Sequence, residues 1–272
     1  MEIIKNERFV QMANVMELEL LESGVSKLDR QWHSEEVCSP YSRIYYVISG
    51  EGTIRIPAGE GELRRLRPGY MYLIPNGLYY DYFCEDALEK VHFHVNMRMQ
   101  DGFDLFCGCK DCYERYVGAD KVLEVRRMLT SVNPVDYAAL KGELYLASAA
   151  VAREAGLEEK MNRNYSELIA ALFALLPGLP LSVSIRQLAD RLNVSESTLS
   201  KRFRRETGTS IGDYRRNLVL ARARQLLASG KQSIGEIAEE MGFCDQFYFS
   251  RYFKENQGET PSAYRSRYIK LP

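Results

Sequence analysis

The sequence lacks any long apolar run, and its first segment lacks the features of a leader. The longest helical apolar stretch, Leu168 to Leu176, is far shorter than the ~20 residues needed to cross a bilayer. The first segment, Met1 to Gly24, carries charges throughout and has no apolar region of the signal-peptide type. We therefore expect a cytoplasmic protein that makes no membrane contact and whose thiols stay reduced.

Cysteine and histidine are also scarce, with six and three residues in a chain of 272. Half of the cysteines fall in one short stretch, at Cys107, Cys109 and Cys112. A closed zinc site needs four ligands, and neither a second paired-cysteine motif nor a nearby histidine accompanies these three. The favoured interpretation is a loop with reduced thiols, and a metal or redox knuckle is the alternative.

The whole chain has almost no excess charge, with a formal net charge of −1, but its two parts carry net charges of opposite sign. From Pro180 onward there are 16 Lys and Arg against 10 Asp and Glu, a net of +6. The preceding residues hold 20 basic against 27 acidic residues, a net of −7. This asymmetry predicts that only the carboxyl-terminal part approaches a polyanion.

Residue patterns divide the chain into a mixed first part and a helical second part. Short Tyr-, Ile- and Val-rich runs between turn residues predict antiparallel strands over about 31–97, and helical periodicity follows over about 121–176. The run Pro177-Gly178-Leu179-Pro180 predicts a hinge. We therefore predict an α+β protein of two domains, 1–176 and 182–272, joined by a linker at 177–181.

The second part contains one unit twice. Ile185 to Val194 aligns with Ile234 to Phe243 at an offset of 49, and each copy opens with a capping-box pattern. Beyond the following turn the offset becomes 50, so the second copy has one extra turn residue. The pairs that match at this offset are Leu199 with Phe249, Phe203 with Phe253, Gly208 with Gly258 and Tyr214 with Tyr264.

Each copy predicts a helix, a tight turn and a second helix whose outward face could enter a DNA groove. Arg and Lys suit guanine edges, Gln suits adenine, and Phe can meet a thymine methyl. Arg202 and Arg205 suit phosphates. A helix over Ile211 to Ser229, with Leu218, Ala221 and Leu226 as its apolar stripe, is predicted to hold the copies apart. The predicted double-stranded-DNA-binding residues are Ser197, Ser200, Lys201, Arg204, Gln246, Phe247, Ser250, Arg251 and Lys254.

These motifs resemble the AraC-type transcription regulators. The likeness is carried by Ile234 to Phe243, Phe249 to Lys254 and Gly258 to Arg265, and covers about a third of the chain. The resemblance implies an all-α domain with two helix-turn-helix motifs, base contacts from the helix faces named above, and activation through contact with RNA polymerase. The two serines of the first face depart from the bulkier residues common there.

The first domain resembles the cupin-like sensor domain of the same family. The likeness rests on Ile44 to Gly52 and Leu66 to Gly69 and implies an antiparallel β-barrel with attached helices. Metal-dependent cupins carry two His, a Glu and a later His at set distances from turn glycines. Here Arg43 and Tyr80 stand at two of these places, and no histidine falls at the others, between Glu36 and Ser39. We therefore expect no enzyme, no metal and no cofactor.

A binding cavity remains as the expectation for the first domain. Alternation along the strands puts His92 and His94 on one face and Arg43 and Tyr45 on another, with turn-flanking tyrosines nearby. The same pattern also fits histidines that face solvent or satisfy internal hydrogen bonds. The predicted residues for a small polar effector, such as a sugar, are Arg43, Tyr45, Tyr80, Tyr82, His92 and His94.

The apolar helices of the first domain need a partner surface. In the family such helices often pair two chains, so the resemblance implies a homodimer. The leading function is thus a ligand-responsive, DNA-binding activator. The alternatives are a regulator whose first domain only dimerises or binds a protein, and an enzyme fused to a DNA-binding domain, which the missing metal ligands disfavour.

Overall fold

The chain divides into two compact units. The first comprises Met1–Met99 and Phe103–Asn162, and the second comprises Arg163–Pro272 with the short segment Gln100–Gly102. The structure is a computed structural model that describes residues 13, 16–57, 62–99, 101–161, 165–176, 179 and 183–269. Within those residues, no helix has the length and apolar character that a membrane span requires.

In the described part of the first unit, nine antiparallel strands form two sheets. The five-stranded sheet has the order β1-β8-β3-β6-β9, and the four-stranded sheet has the order β2-β7-β4-β5. The resemblance to cupins implied a closed barrel, but among the described residues the two sheets do not close into one. The antiparallel architecture is the predicted one. The strands are β1 Glu17–Leu28, β2 His33–Cys38, β3 Ser42–Gly50, β4 Gly52–Ile56, β5 Glu62–Leu66, β6 Tyr70–Ile74, β7 Tyr79–Phe83, β8 Leu88–Arg98 and β9 Tyr113–Tyr116.

Strands β3 and β4 follow each other in the chain with one residue, Glu51, between them, but they are not paired. Strand β3 belongs to the five-stranded sheet and β4 to the four-stranded sheet, so the chain changes sheets at Gly50. Gly50 has φ of 75°, and a Cβ there would lie 2.0 Å from the Ala87 carbonyl oxygen. Only glycine fits this crossing point.

Two strands lie outside the predicted range of about 31–97. Strand β1 pairs with β8 along almost its whole length, and β9 pairs with β6. Both are edge strands, and both carry charged residues that weaken the alternation of a half-buried strand. Their conformation depends on the neighbouring strand, which local sequence does not reveal.

Helices cover the outer face of the five-stranded sheet. Their apolar residues, among them Val122, Val125 and Leu144, pack on the strand residues Ile44 and Phe93. This packing forms the main hydrophobic core of the unit. The helices are α1 Ala119–Thr130, α2 Pro134–Glu154 and the single turn α3 Glu158–Met161.

The second unit is helical. Its first helix, α4, contains Phe173, whose ring lies 5.9 Å from that of Phe203 and 5.3 Å from that of Tyr214. The predicted boundary at residue 176 had put this helix in the first domain, but its aromatic contacts place it in the second unit. Apart from Leu179, the predicted linker lies outside the described residues. The helices are α4 Glu167–Leu175, α5 Ile185–Arg191, α6 Glu196–Thr207, α7 Ile211–Ser229, α8 Ile234–Glu240, α9 Gln246–Gln257 and α10 Pro261–Ile269.

The central helix α7 buries only part of the predicted stripe, because Leu226 lies in the core as predicted but Leu218 and Ala221 do not. Its 19 residues span about 28 Å at the rise of an α-helix. Leu220, Ala223 and Leu227 are buried against α8 and α9, whereas Leu218 and Ala221 are only half-buried. The helix ends at Gly230, which has left-handed backbone angles, as the sequence predicted.

Candidate DNA-binding surface and sensor interior

Helices α5 and α6 form the first helix-turn-helix, with hydrogen-bonded caps at both helix starts. Ser184 accepts from the Gln187 backbone while the Gln187 side chain accepts from the Ser184 backbone, which is the predicted capping box. Asn193 takes a left-handed conformation in the turn, with φ of 54°. Ser195 then caps α6 through the Thr198 amide.

Helices α8 and α9 repeat this construction. Ser233 and Glu236 form the second capping box, and Gly242 takes the left-handed position in the turn. Four residues separate α5 from α6 and five separate α8 from α9, so the inserted residue lies in the turn, as predicted from the changed offset. Asp245 caps α9 by accepting from the Tyr248 amide.

Buried aromatic residues fix which face of each second helix points outward. Leu199 and Phe203 anchor α6, and Phe249 and Phe253 anchor α9, all without solvent exposure. Because these residues are four apart, they hold one face of each helix against the core. The opposite faces are therefore presented to solvent.

The outward face of α6 carries three exposed predicted residues, Ser197, Lys201 and Arg204, while Ser200 is half-buried. Among the described residues, no carboxylate pairs with Lys201 or Arg204. Arg202 and Arg205, the predicted phosphate contacts, instead lie 3.2 and 3.8 Å from the Glu206 carboxylate. The cations predicted to face bases thus form no salt bridge within 4.0 Å among the described residues, whereas Arg202 and Arg205 do.

The outward face of α9 has the same character. Gln246, Arg251 and Lys254 are exposed, Ser250 is half-buried, and the part of the chain that the structure describes offers neither cation a salt-bridge partner. Phe247 is 76% exposed although it is a large aromatic residue at the start of the helix. An apolar ring in that place suits contact with a thymine methyl.

The other candidate site is the space between the two sheets of the first unit. Arg43 and Tyr45 of β3 point away from the helix-covered face, and Tyr80 and Tyr82 of β7 come from the opposing sheet. All four side chains are buried. The structure therefore brings these four predicted residues into one interior.

The two histidines lie at the margin of this interior and have internal partners. The His94 ring stacks on Tyr41 at 4.5 Å, and its Nδ1 lies 3.0 Å from the Glu22 carboxylate. His92 Nδ1 lies 2.9 Å from the Ser26 hydroxyl. Burial lowers the pKa of His94 to about 4, which keeps the ring neutral at pH 7. Hydrogen bonds with the two histidines lower the pKa of Glu22. This arrangement corresponds to the alternative of internal hydrogen bonds.

Sequence reasoning missed Lys90, which lies at the centre of the interior. Its Nζ is 3.3 Å from the centre of the Tyr45 ring and 4.3 Å from that of Trp32. The signal was present in the alternation of β8, because Lys90 is two residues before His92 and shares its face. A lysine on a strand is usually solvent-exposed, so its burial could not be read from the pattern.

The cysteines form no disulfide. Cys107 is exposed whereas Cys112 is buried, and burial raises the pKa of the Cys112 thiol. No group of three or more His, Cys, Asp or Glu side chains within the described ranges is arranged to hold a metal.

Comparison with known proteins relates the chain to bacterial regulators. A family model described as a helix-turn-helix domain matches residues 188–267. The Msm operon regulatory protein of Streptococcus mutans is 34% identical over half of this chain and 49% of its own length. The MmsAB operon regulatory protein of Pseudomonas aeruginosa is 24% identical over 89% of this chain and 78% of its own. The HTH-type transcriptional activator RhaR of Pectobacterium carotovorum is 43% identical over 28% of this chain and 27% of its own.

In two of these three relatives the matched part is half of the protein or less. The matched family segment begins in α5 and ends in α10, so it includes both helix-turn-helix motifs and the helix between them. Residues 188–267 of this chain are therefore similar to a helix-turn-helix domain, and the relatives that match are named as regulators.

Proposed function

We propose that the protein is a cytoplasmic, sequence-specific DNA-binding activator whose first unit senses a small polar molecule. One observation carries the DNA-binding part: each second helix presents exposed Lys and Arg residues that form no salt bridge within 4.0 Å among the described residues. Desolvated pairing with guanine and phosphate would supply their partners. Related proteins named as regulators and as a transcriptional activator support the regulatory role.

A selection from random duplex DNA tests this part, because it samples every short operator sequence at once. Wild type is expected to enrich one motif, and Arg251→Ala and Lys201→Ala are expected to lose about 1–3 kcal/mol selectively on that motif. Arg153→Ala is the matched control, because it removes one exposed positive charge from the first unit. If both recognition variants weaken all duplexes to the same small extent as Arg153→Ala, these residues do not read bases.

Ligand sensing is supported by the enclosed polar interior of the first unit. Four buried polar side chains converge there from the two sheets: Arg43, Tyr45, Tyr80 and Tyr82. A domain that served only for dimerisation would not need polar side chains in its interior. A thermal-shift comparison of small sugars, sugar acids and other polar metabolites tests the assignment. A compound at a hundred times its dissociation constant should stabilise the unit by about 2.7 kcal/mol.

Dimerisation is supported by an apolar face of α2 that the described residues leave exposed. Val135, Ala139, Gly142 and Leu146 recur at helical spacing and are all exposed. A Cβ added to Gly142 would meet nothing within 4 Å, so a second helix could approach closely there. A homodimer would place four helix-turn-helix motifs on DNA, beside the promoter where RNA polymerase binds. Sedimentation at micromolar concentration tests this step, and a monomer would refute it.

A further inference from the structure

Two positive side chains are enclosed in the sensor interior. Arg43 is 5% exposed and Lys90 is 3% exposed. Within the described part of the chain, neither lies within 4.0 Å of a carboxylate. Arg43 donates to the Ser39 hydroxyl at 3.0 Å and to the Tyr45 hydroxyl at 3.2 Å.

Such a pair is costly for the folded unit. A buried charge ordinarily has an ion-pair partner, because hydrogen bonds to neutral groups replace only part of its lost hydration. Arginine stays protonated under all ordinary conditions. Desolvation lowers the pKa of Lys90 to about 8, so at neutral pH this residue too is mostly charged. The interior thus holds close to two positive charges.

Tyr45 links the two cations. Its hydroxyl accepts from Arg43, and its ring lies beneath the Lys90 ammonium. Burial opposes ionisation of Tyr45, but attraction to Lys90 and Arg43 outweighs it, so the pKa of Tyr45 is lowered. The same environment that stabilises negative charge on Tyr45 would stabilise it on a bound molecule.

A third group is available beside the cations. The Tyr80 hydroxyl is buried and has no hydrogen-bond partner among the described residues, and its electrostatic influence on Arg43 shows that it lies nearby. Glu22, the carboxylate that contacts the marginal histidines, is 61% exposed on its side chain and already pairs with His94. It therefore does not neutralise the interior.

We infer that the sensor interior binds a small organic anion, whose carboxylate or phosphate group is held by Arg43 and Lys90 and accepts a hydrogen bond from Tyr80. This inference rests on the proposed ligand-sensing function and narrows it to one chemical class. A neutral sugar would leave both cations unpaired, whereas an acidic ligand supplies the missing charge.

Trp32 allows a direct test, because it is the only tryptophan of the chain and lies against Lys90. Its emission is followed in the full-length protein at fixed ionic strength during titration with acetate, propionate and lactate. The matched amides and the neutral sugars arabinose and glucose are titrated in parallel. Inorganic phosphate forms a separate arm that distinguishes a phosphate group from a carboxylate.

We expect a saturable change in emission with at least one anion and none with its amide. Lys90→Met and Arg43→Gln should each raise the apparent dissociation constant of the anion by about 30-fold or more, as expected when one partner of a buried charge pair is removed. Exposed Lys141→Met should leave the titration unchanged.

Two results would overturn the inference. One is an equal response to an anion and its amide, and the other is no saturable response to any anion up to about 50 mM, a concentration well above the weak end of specific binding. If the second result comes with a saturable response to a neutral sugar, it refutes the anionic class while it supports ligand sensing. DNA binding in the selection experiment is measured separately, so its failure cannot be confused with these outcomes.

Discussion

Replacing Lys90 by methionine should stabilise the first unit, although it changes a fully enclosed side chain. Burial lowers the Lys90 pKa from the ordinary 10.5 to about 8. A pKa difference of one between the folded and unfolded states corresponds to ~1.36 kcal/mol, so the folded state loses about 3 kcal/mol at pH 7 by holding this charge. Methionine has similar length and no charge, so Lys90→Met should recover about that amount while it keeps the packing against Trp32 and Tyr45.

The gain should also depend on pH in a defined direction. Between pH 8 and 10.5 the unfolded chain keeps its lysine proton while the folded chain releases it, so the unfolded state binds more protons. Wild-type stability therefore rises with pH in this window, and below pH 8 the full penalty applies. The advantage of Lys90→Met should shrink by about 1.4 kcal/mol for each step of one in pH above about 8.

Urea unfolding followed by Trp32 emission measures this effect in the first unit alone, because the second unit contains no tryptophan. The difference between wild type and Lys90→Met is determined at about pH 7, 8.5 and 10, which cancels the titration of tyrosines and cysteines that Lys90 does not influence. Tyr45, whose pKa Lys90 lowers, changes the difference in the same direction as Lys90. Lys141→Met, on the exposed side of α2, should stay within about 0.5 kcal/mol of wild type at each pH. A destabilised Lys90→Met at neutral pH, or a difference that does not change with pH, would refute the reasoning.

Four further outcomes are expected. Lys254→Ala should weaken binding to all duplexes and reduce the slope of log affinity against log salt by about 1, whereas Phe247→Ala should lose affinity at a thymine step without changing that slope; equal slopes in the two variants would contradict these roles. Ser233→Ala should cost the second unit about 1 kcal/mol in a helix melt, because its capping box is lost. Leu146→Glu should sediment as a monomer where wild type is a dimer, and an unchanged mass would place the interface elsewhere. Wild-type first-unit stability should fall as the pH drops from 6.5 toward 4, because in this range only the unfolded state binds the His94 imidazole proton, and His94→Gln should reduce that fall. Parallel curves of stability against pH for the two proteins would show that His94 is not the titrating group.

The second unit was largely predictable from sequence because its determinants are local. Capping residues, a turn residue with left-handed angles and apolar spacing all lie within one copy, and Ser233, Gly242 and Phe253 have the conformations and burial that their spacing predicted. Because the pattern occurs twice, each copy supported the helix-turn-helix prediction for the other. The stripe of α7 was predicted only in part: Leu226 is buried as predicted, but Leu218 and Leu220 are equally apolar and only the packing of α8 and α9 decides which of these two is buried.

The first unit was less predictable because its structure depends on contacts between distant strands. Strand β1 is set by β8, which lies about seventy residues later in the chain, and Gly50 marks a change of sheet that resembles an ordinary hairpin turn in sequence. Alternation correctly put Arg43 and Tyr45 on one face. It could not show that this face is enclosed by a second sheet rather than wet, and that difference makes Lys90 a buried charge.

The urea-unfolding test and the anion titration both depend on the buried charge of Lys90. Removing the Lys90 charge stabilises the ligand-free unit, and supplying an opposite charge should do the same for wild type. Lys90→Met should therefore show higher stability together with a weakened anion response. If the variant gained stability but still bound the anion as wild type does, Lys90 would be a tolerated buried charge and Arg43 alone would hold the ligand.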